Sequence, residues 1–175
     1  MKIINLPQLR QTYNFDCGAK ALQSILSYYG IEVREDEIIK IAKTNKNGTS
    51  IQGIKKVVNK YGLKMKANKM NIDTLKNYIN DRVPILIAIQ AWTNKQKINW
   101  SDNWSDGHWV VVIGYIKEKI IFEDPSSIYK TYLKQNELLE RWHDIDTNGK
   151  KYLNFGIAIF GEKPVFKRDR IIHMG

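Results

Sequence analysis

The sequence has one cysteine in 175 residues, Cys17. No intrachain disulfide can form, and the cysteine usage gives no argument for an oxidising compartment. Long apolar runs are also missing. No segment approaches the ~20 residues of a membrane span, and the apolar run at the N-terminus is too short for a signal peptide. A soluble, cytoplasmic chain with no membrane span is therefore expected. Nor do the basic residues gather into an arm. Twenty-eight Lys and Arg against eighteen Asp and Glu give a net charge of +10, but the lysines are dispersed. That pattern predicts a solvated basic surface with acidic partners. No nucleic-acid partner is expected, since the usual motifs are absent. Internal repeats and linkers are lacking too, so residues 1–175 read as a single domain.

What is present suits a packed core: 43% of the residues are hydrophobic and 11% aromatic, which excludes a disordered or fibrous chain. Residues 1–10 read as an extended lead-in. Ala21, Leu22, Ile25, Leu26 and Tyr29 fall on one face of a helix over 17–29, and Gly30 supplies its stop. A second helix is predicted from Glu35 to Thr44, followed by a turn at Asn45–Gly48. A third, capped by Thr49 or Ser50, runs from Ile51 to Tyr61. A short strand follows over 64–69, then a fourth helix, Ile72–Asn80, capped by Asn71. From Pro84 the pattern changes to strands over 84–92, 109–115 and 119–124. A helix over 134–142 and a last strand over 152–160 complete the chain. Helices first and strands after predict an α+β fold with a mainly antiparallel sheet.

Within that frame Cys17 stands at the N-terminal end of a buried helix, where unpaired backbone N–H groups and the macrodipole favour an anion. The thiolate is the reactive form of cysteine. A free cysteine is most often a small buried hydrophobe; its position and the partners further along favour a nucleophile. A nucleophile needs a base, an orienter and oxyanion donors. Of three histidines, His108 opens the strongest β run, while His143 and His173 read as structural or solvated. If 109–115 and 119–123 form a hairpin, Asp124 returns to the end where His108 sits, with Pro125 stopping the strand. By itself an Asp-Pro pair is better explained as a turn start. Gln11, six residues before Cys17, offers a neutral NH₂ donor beside the Cys17 backbone N–H. Of the aromatics near these segments, Trp92 and Trp109 read as ordinary core, whereas Tyr13, Phe15, Trp100 and Trp104 are expected to crowd a cleft.

Taken together, Gln11, Asp16-Cys17-Gly18, Tyr28-Tyr29-Gly30, Gly107-His108-Trp109-Val110-Val111-Val112 and Asp124-Pro125 resemble the bacteriocin-processing peptidase domains. Those are papain-like cysteine peptidases that remove double-glycine leader peptides. The likeness runs from about Gln8 to Phe160 and includes Thr49-Ser50-Ile51 to Gly62-Leu63. It implies a papain-like fold with N-terminal helices packed on the sheet. It also implies Cys17 as nucleophile, His108 as general base and acid, Asp124 as orienter and Gln11 in the oxyanion hole. The substrate it implies is a peptide cut after a small pair at the end of a leader. In that family the peptidase is often fused to a membrane-spanning, ATP-driven transporter. Neither part occurs in this sequence, so a separate membrane transporter is a candidate partner. The segment 93–107 is longer and more aromatic than the family's usual approach to the histidine.

No cofactor or metal is expected. Asp144-Ile145-Asp146-Thr147-Asn148-Gly149 imitates the start of a calcium loop, but Phe155 stands where its bidentate Glu should be. Asp102 and Asp106 with His108 lack the spacing of a metal site. Two alternatives stay open: another papain-like acyl-transfer enzyme (an amidase or transglutaminase-like protein), or a leader-binding module that does not cut.

Overall fold

A computed structural model describes residues 2–175. The helical first half is α1 (Cys17–Tyr28), α2 (Glu35–Ala42), α3 (Ile51–Lys60) and α4 (Ile72–Asn80). Their ends follow from local chemistry. Ser50 Oγ accepts the Gly53 N–H at 3.0 Å and Asn71 Oδ1 accepts that of Thr74 at 2.8 Å, each satisfying one orphan donor of a helix start. Gly30, at φ 81, turns the chain out of α1.

The strands are β1 (Lys2–Ile3), β2 (Lys64–Lys69), β3 (Ile85–Gln90), β4 (Gly107–Ile116), β5 (Lys119–Glu123) and β6 (Thr131–Lys134), with β7 (His143–Ile145), β8 (Lys151–Leu153) and β9 (Phe155–Phe160) after helix α5 (Gln135–Arg141). Seven of them form one antiparallel sheet in the order β2-β9-β3-β4-β5-β6, with β1 against β4. β7 and β8 make a separate hairpin. The fold is thus α+β. Helices α1 and α4 lie against β4, and α5 against β3 and β5. Ala19, Ala21, Leu22, Ile25 and Leu26 of α1 are buried, as are Val110 to Ile113 of β4. At roughly 1.5–3 kcal/mol per large apolar side chain buried, this seam holds α1 on the central strand. No helix of the described residues is long and apolar enough to cross a membrane.

Three expectations need correction. The helix expected over 134–142 is Gln135–Arg141, and the residues before it form the short edge strand β6. The strand expected over 152–160 is broken at Asn154, whose φ of 52 divides β8 from β9. And Trp92, expected in the core, is 60% exposed. It sits just past β3 with φ 58, a conformation costly for a bulky residue, and its indole is held by a carboxylate rather than by core packing.

Candidate active site

Three elements converge at one end of the central sheet: the N-terminus of α1, the start of β4 and the turn leaving β5. The hairpin β4–β5 is closed by Lys117 and Glu118, with Lys117 at φ 50. Its register sets Val111 opposite Glu123, so His108 and Asp124 emerge at neighbouring strand ends. His108 Nε2 and Asp124 Oδ1 lie 2.7 Å apart, both residues buried. Cys17 acts on the same ring, and its side chain favours the charged imidazolium. Cys17 is buried at the first residue of α1, and its Sγ accepts the backbone N–H of Trp109 at 3.5 Å.

Gly18 explains how closely the helix approaches. A Cβ at this position would lie 2.7 Å from Thr49 Cβ and 2.9 Å from Trp109 Cδ1. Trp109 is anchored in turn by its indole N–H, which donates to the Thr49 carbonyl at 3.0 Å. It is buried, as expected.

The charges are interlocked. Burial pushes the His108 imidazole toward its neutral form, but the Asp124 carboxylate and Cys17 outweigh it and raise its pKa to about 9. Burial likewise works against a charged Asp124. It is overcome by His108, the Ser126 N–H and the Trp92 indole, which hold this carboxyl below the ordinary aspartate range. Four donors satisfy its two oxygens. Besides His108, Ser126 N–H donates to Oδ1 at 2.8 Å, while Trp92 Nε1–H and Thr131 Oγ1–H donate to Oδ2 at 3.0 and 3.2 Å.

Gln11 is tied to the same turn. Its backbone N–H donates to the Pro125 carbonyl at 2.9 Å, and its Oε1 accepts the Ser126 hydroxyl at 3.0 Å. Ser126 Oγ also lies 3.4 Å from His108 Nε2. The Gln11 amide nitrogen donates one hydrogen to the Tyr13 carbonyl at 2.6 Å and keeps a second for another acceptor. So His108, Asp124 and Gln11 share one connected network, and the residue after His108 holds Cys17 Sγ by its backbone N–H.

Beside Cys17 opens a cavity of about 80 Å³, whose walls include Thr49, Gly107, Trp109, Asp144 and Tyr152. The Asp144 carboxyl packs on Gly107, where a Cβ would come within 2.4 Å of its Oδ1, and burial pushes its pKa up to about 6. The long approach segment before His108 is folded onto Lys95, whose Nζ reaches Asn103, Ser105 and Asp106 at 3.0, 2.6 and 3.1 Å. His143 is buried, with Nε2 at 2.7 Å from the Asn103 carbonyl and its ring against Trp104.

Sequence reasoning did not reach Ser126, Thr131 or the indole of Trp92. Ser126 was within reach, because an Asp two residues ahead of a backbone N–H is an Asx-turn pattern. Trp92 and Thr131 meet Asp124 only through the tertiary fold.

Comparison with known proteins gives the chain relatives. The model of the peptidase C39 family matches residues 5–146. The pediocin PA-1 transport/processing ATP-binding protein PedD of Pediococcus acidilactici is 26% identical over 131 residues, covering 74% of this chain but only 16% of that protein. Among solved structures, the peptidase domain of Streptococcus ComA, a bi-functional ABC transporter involved in a quorum-sensing pathway, is 25% identical. It superposes with a TM-score of 0.64 over 90% of this chain and 96% of that one. A double glycine motif protease from an AMS/PCAT transporter, solved with its leader peptide, shares the fold at 19% identity. Its TM-score is 0.65, over 94% of this chain and 95% of that one.

Proposed function

Because the chain belongs to the peptidase C39 family and is a cysteine peptidase, we propose that it cuts peptides after a small pair such as Gly-Gly or Gly-Ala, removing a leader, with Cys17 as the nucleophile. The Cys17 thiolate attacks the carbonyl carbon next to the scissile bond. The oxyanion that forms is stabilised by the Cys17 backbone N–H and the free hydrogen on Gln11 Nε2. His108, protonated in the resting pair, delivers its proton to the leaving amine as the C–N bond breaks. A thioester remains on Cys17. His108 then takes a proton from water, the resulting hydroxide attacks the thioester, and the acid product leaves with the thiolate restored. Asp124 keeps the His108 ring oriented and its positive charge compensated.

The observation that carries this reading is buried His108 with the Asp124 carboxylate 2.7 Å away, while the N–H of the next residue, Trp109, donates to Cys17 Sγ at 3.5 Å. The small pair is supported by the cavity beside Cys17. At about 80 Å³ it is well below the ~150 Å³ of a cavity that admits benzene. The aromatic rings that line it are Trp109, Tyr152 and Phe155; Tyr13, Phe15, Trp100 and Trp104, expected to crowd the cleft, are not among its walls. The net charge of +10 favours an acidic leader, with an on-rate that falls as salt rises. Such an enzyme would work in the cytoplasm, where its single thiol stays reduced, on leaders presented by a transporter.

A peptide series with Gly, Ala, Val or Phe before the cut, read by mass at two ionic strengths, tests this. Cleavage is expected after Gly and Ala, faster at low salt. Cleavage after Phe as fast as after Gly would refute the small-pair specificity.

A further inference from the structure

Two carboxylates behind the nucleophile have no role in the chemistry above. Asp16, the residue before Cys17, is fully buried. Its Oδ2 accepts the backbone N–H groups of Thr12 and Tyr13 at 3.1 and 3.0 Å. Its Oδ1 is buried with no donor. Glu35, the first residue of α2, mirrors it. Its Oε2 accepts Lys20 Nζ at 2.9 Å and the Thr12 hydroxyl at 2.5 Å, while its Oε1 is buried with no donor. Thr12 ties the two side chains together, giving its backbone N–H to Asp16 and its hydroxyl to Glu35. Two acceptor-only groups cannot bond without a hydrogen between them, and buried polar atoms are rarely left unsatisfied.

We propose that Asp16 and Glu35 share one proton, held on Asp16 Oδ1 and donated to Glu35 Oε1, and that this acid pair positions the Gln11 loop for catalysis. The proposal rests on the oxyanion role given to Gln11 above. Lys20 decides which side carries the proton. It pairs with Glu35, so Glu35 is the carboxylate and Asp16 the neutral acid. Burial and the neighbouring Glu35 carboxylate favour protonated Asp16, against the pull of the Thr12 and Tyr13 amides. The charged group facing the pair is Lys20 from α1, bonded to Glu35 of α2; Arg34 and Asp36 pair with each other instead. The mechanical consequence runs through Tyr13. Asp16 holds its N–H, and its carbonyl accepts the Gln11 amide. Loss of the shared proton as pH rises would set two buried negative charges against each other directly behind that loop.

The test has two parts. The first is a carboxyl ¹³C NMR titration, done in Cys17→Ala so that it does not depend on turnover. Asp16 is expected to titrate above the ordinary aspartate value. In Glu35→Gln it should drop, because the new side-chain amide supplies a permanent donor to Oδ1 while its oxygen still accepts from Lys20 and Thr12. An Asp16 carboxyl that titrates normally and ignores Glu35→Gln would overturn the shared proton. The second part is kinetic. Asp16→Asn keeps every hydrogen bond of the cluster and should stay within about threefold of wild-type kcat. Asp16→Ala should lower kcat about 10- to 100-fold with KM unchanged, a fraction of what losing an oxyanion donor costs. In a Gln11→Ala background the same Asp16→Ala change should add less than about twofold. Full additivity there, or a matching loss in Asp16→Asn, would overturn the positioning role. Failure of the nucleophile assignment would look different, since Cys17→Ala would then still turn over.

Discussion

Replacing Asp124 with Asn separates charge from shape at the heart of the site. Asn keeps an oxygen for the His108 and Ser126 N–H bonds at 2.7 and 2.8 Å. It then places an NH₂ where Oδ2 accepted the Trp92 indole at 3.0 Å and the Thr131 hydroxyl at 3.2 Å. Thr131 can turn its hydroxyl and accept instead; the indole cannot. A hydrogen bond to a charged acceptor, worth about 1.5–3 kcal/mol, is lost at Trp92. His108 loses more. Its rise from 6.5 to about 9 corresponds to roughly 3 kcal/mol of preference for the imidazolium, shared between Asp124 and Cys17 and net of burial. With Asp124 neutral, Cys17 alone opposes burial, and the alkaline limb of kcat/KM should move down by about one pH unit or more. Turnover should fall about 10- to 100-fold, less than the roughly 10⁴ seen when a serine protease loses its triad carboxylate, because the thiolate–imidazolium pair persists without it. The sign in stability follows from linkage. A raised His108 pKa stabilises the fold fully below about 6.5, and the benefit is lost as pH rises through about 9. The melting-temperature gap between wild type and Asp124→Asn should therefore be widest near pH 5–6 and shrink above pH 9. The assays are pH profiles of kcat/KM and of iodoacetamide alkylation at Cys17, with thermal melts at the same pH values. A limb that stays at about 9 in Asp124→Asn would refute the ion-pair reasoning.

Other substitutions probe the neighbours of that pair. Gln11→Ala should lower kcat by roughly 10²–10³ with little change in KM, the cost of one oxyanion donor; a change in KM alone would make Gln11 a binding residue. Gly18→Ala inserts a methyl 2.7 Å from Thr49 Cβ and 2.9 Å from the Trp109 ring. Overpacking of that kind costs about 1–3 kcal/mol, and prying α1 from β4 should also slow Cys17 alkylation; a variant with wild-type melting and alkylation would show that the contact yields easily.

Much of the fold was legible because its cause is local. The apolar face of α1, the caps at Ser50 and Asn71 and the turn at Lys117–Glu118 are written within a few residues each. The meeting of His108 with Asp124 was legible one step further on, since a two-residue hairpin turn returns Asp124 to the end where His108 begins. What escaped depends on distant partners. β6 is four residues on a sheet edge, its pattern masked by the helix signal that begins at Lys134. Asn154 breaks a strand that alternation alone would continue. Trp92 looks like core by composition, and its partner, the Asp124 carboxylate, lies 32 positions away. Asp16 and Glu35 belong to the same class, since their relation exists only once α2 brings Glu35 to the loop that bears Thr12.

The most direct test of Cys17 as nucleophile is to trap the thioester. Wild-type protein mixed with a Gly-Gly peptide, quenched in acid within the first turnover and weighed intact, should gain the mass of the leader fragment. Fragmentation should map that adduct to Cys17, and Cys17→Ala should show neither adduct nor product. Product formation by Cys17→Ala, or an adduct on any other residue, would contradict the assignment.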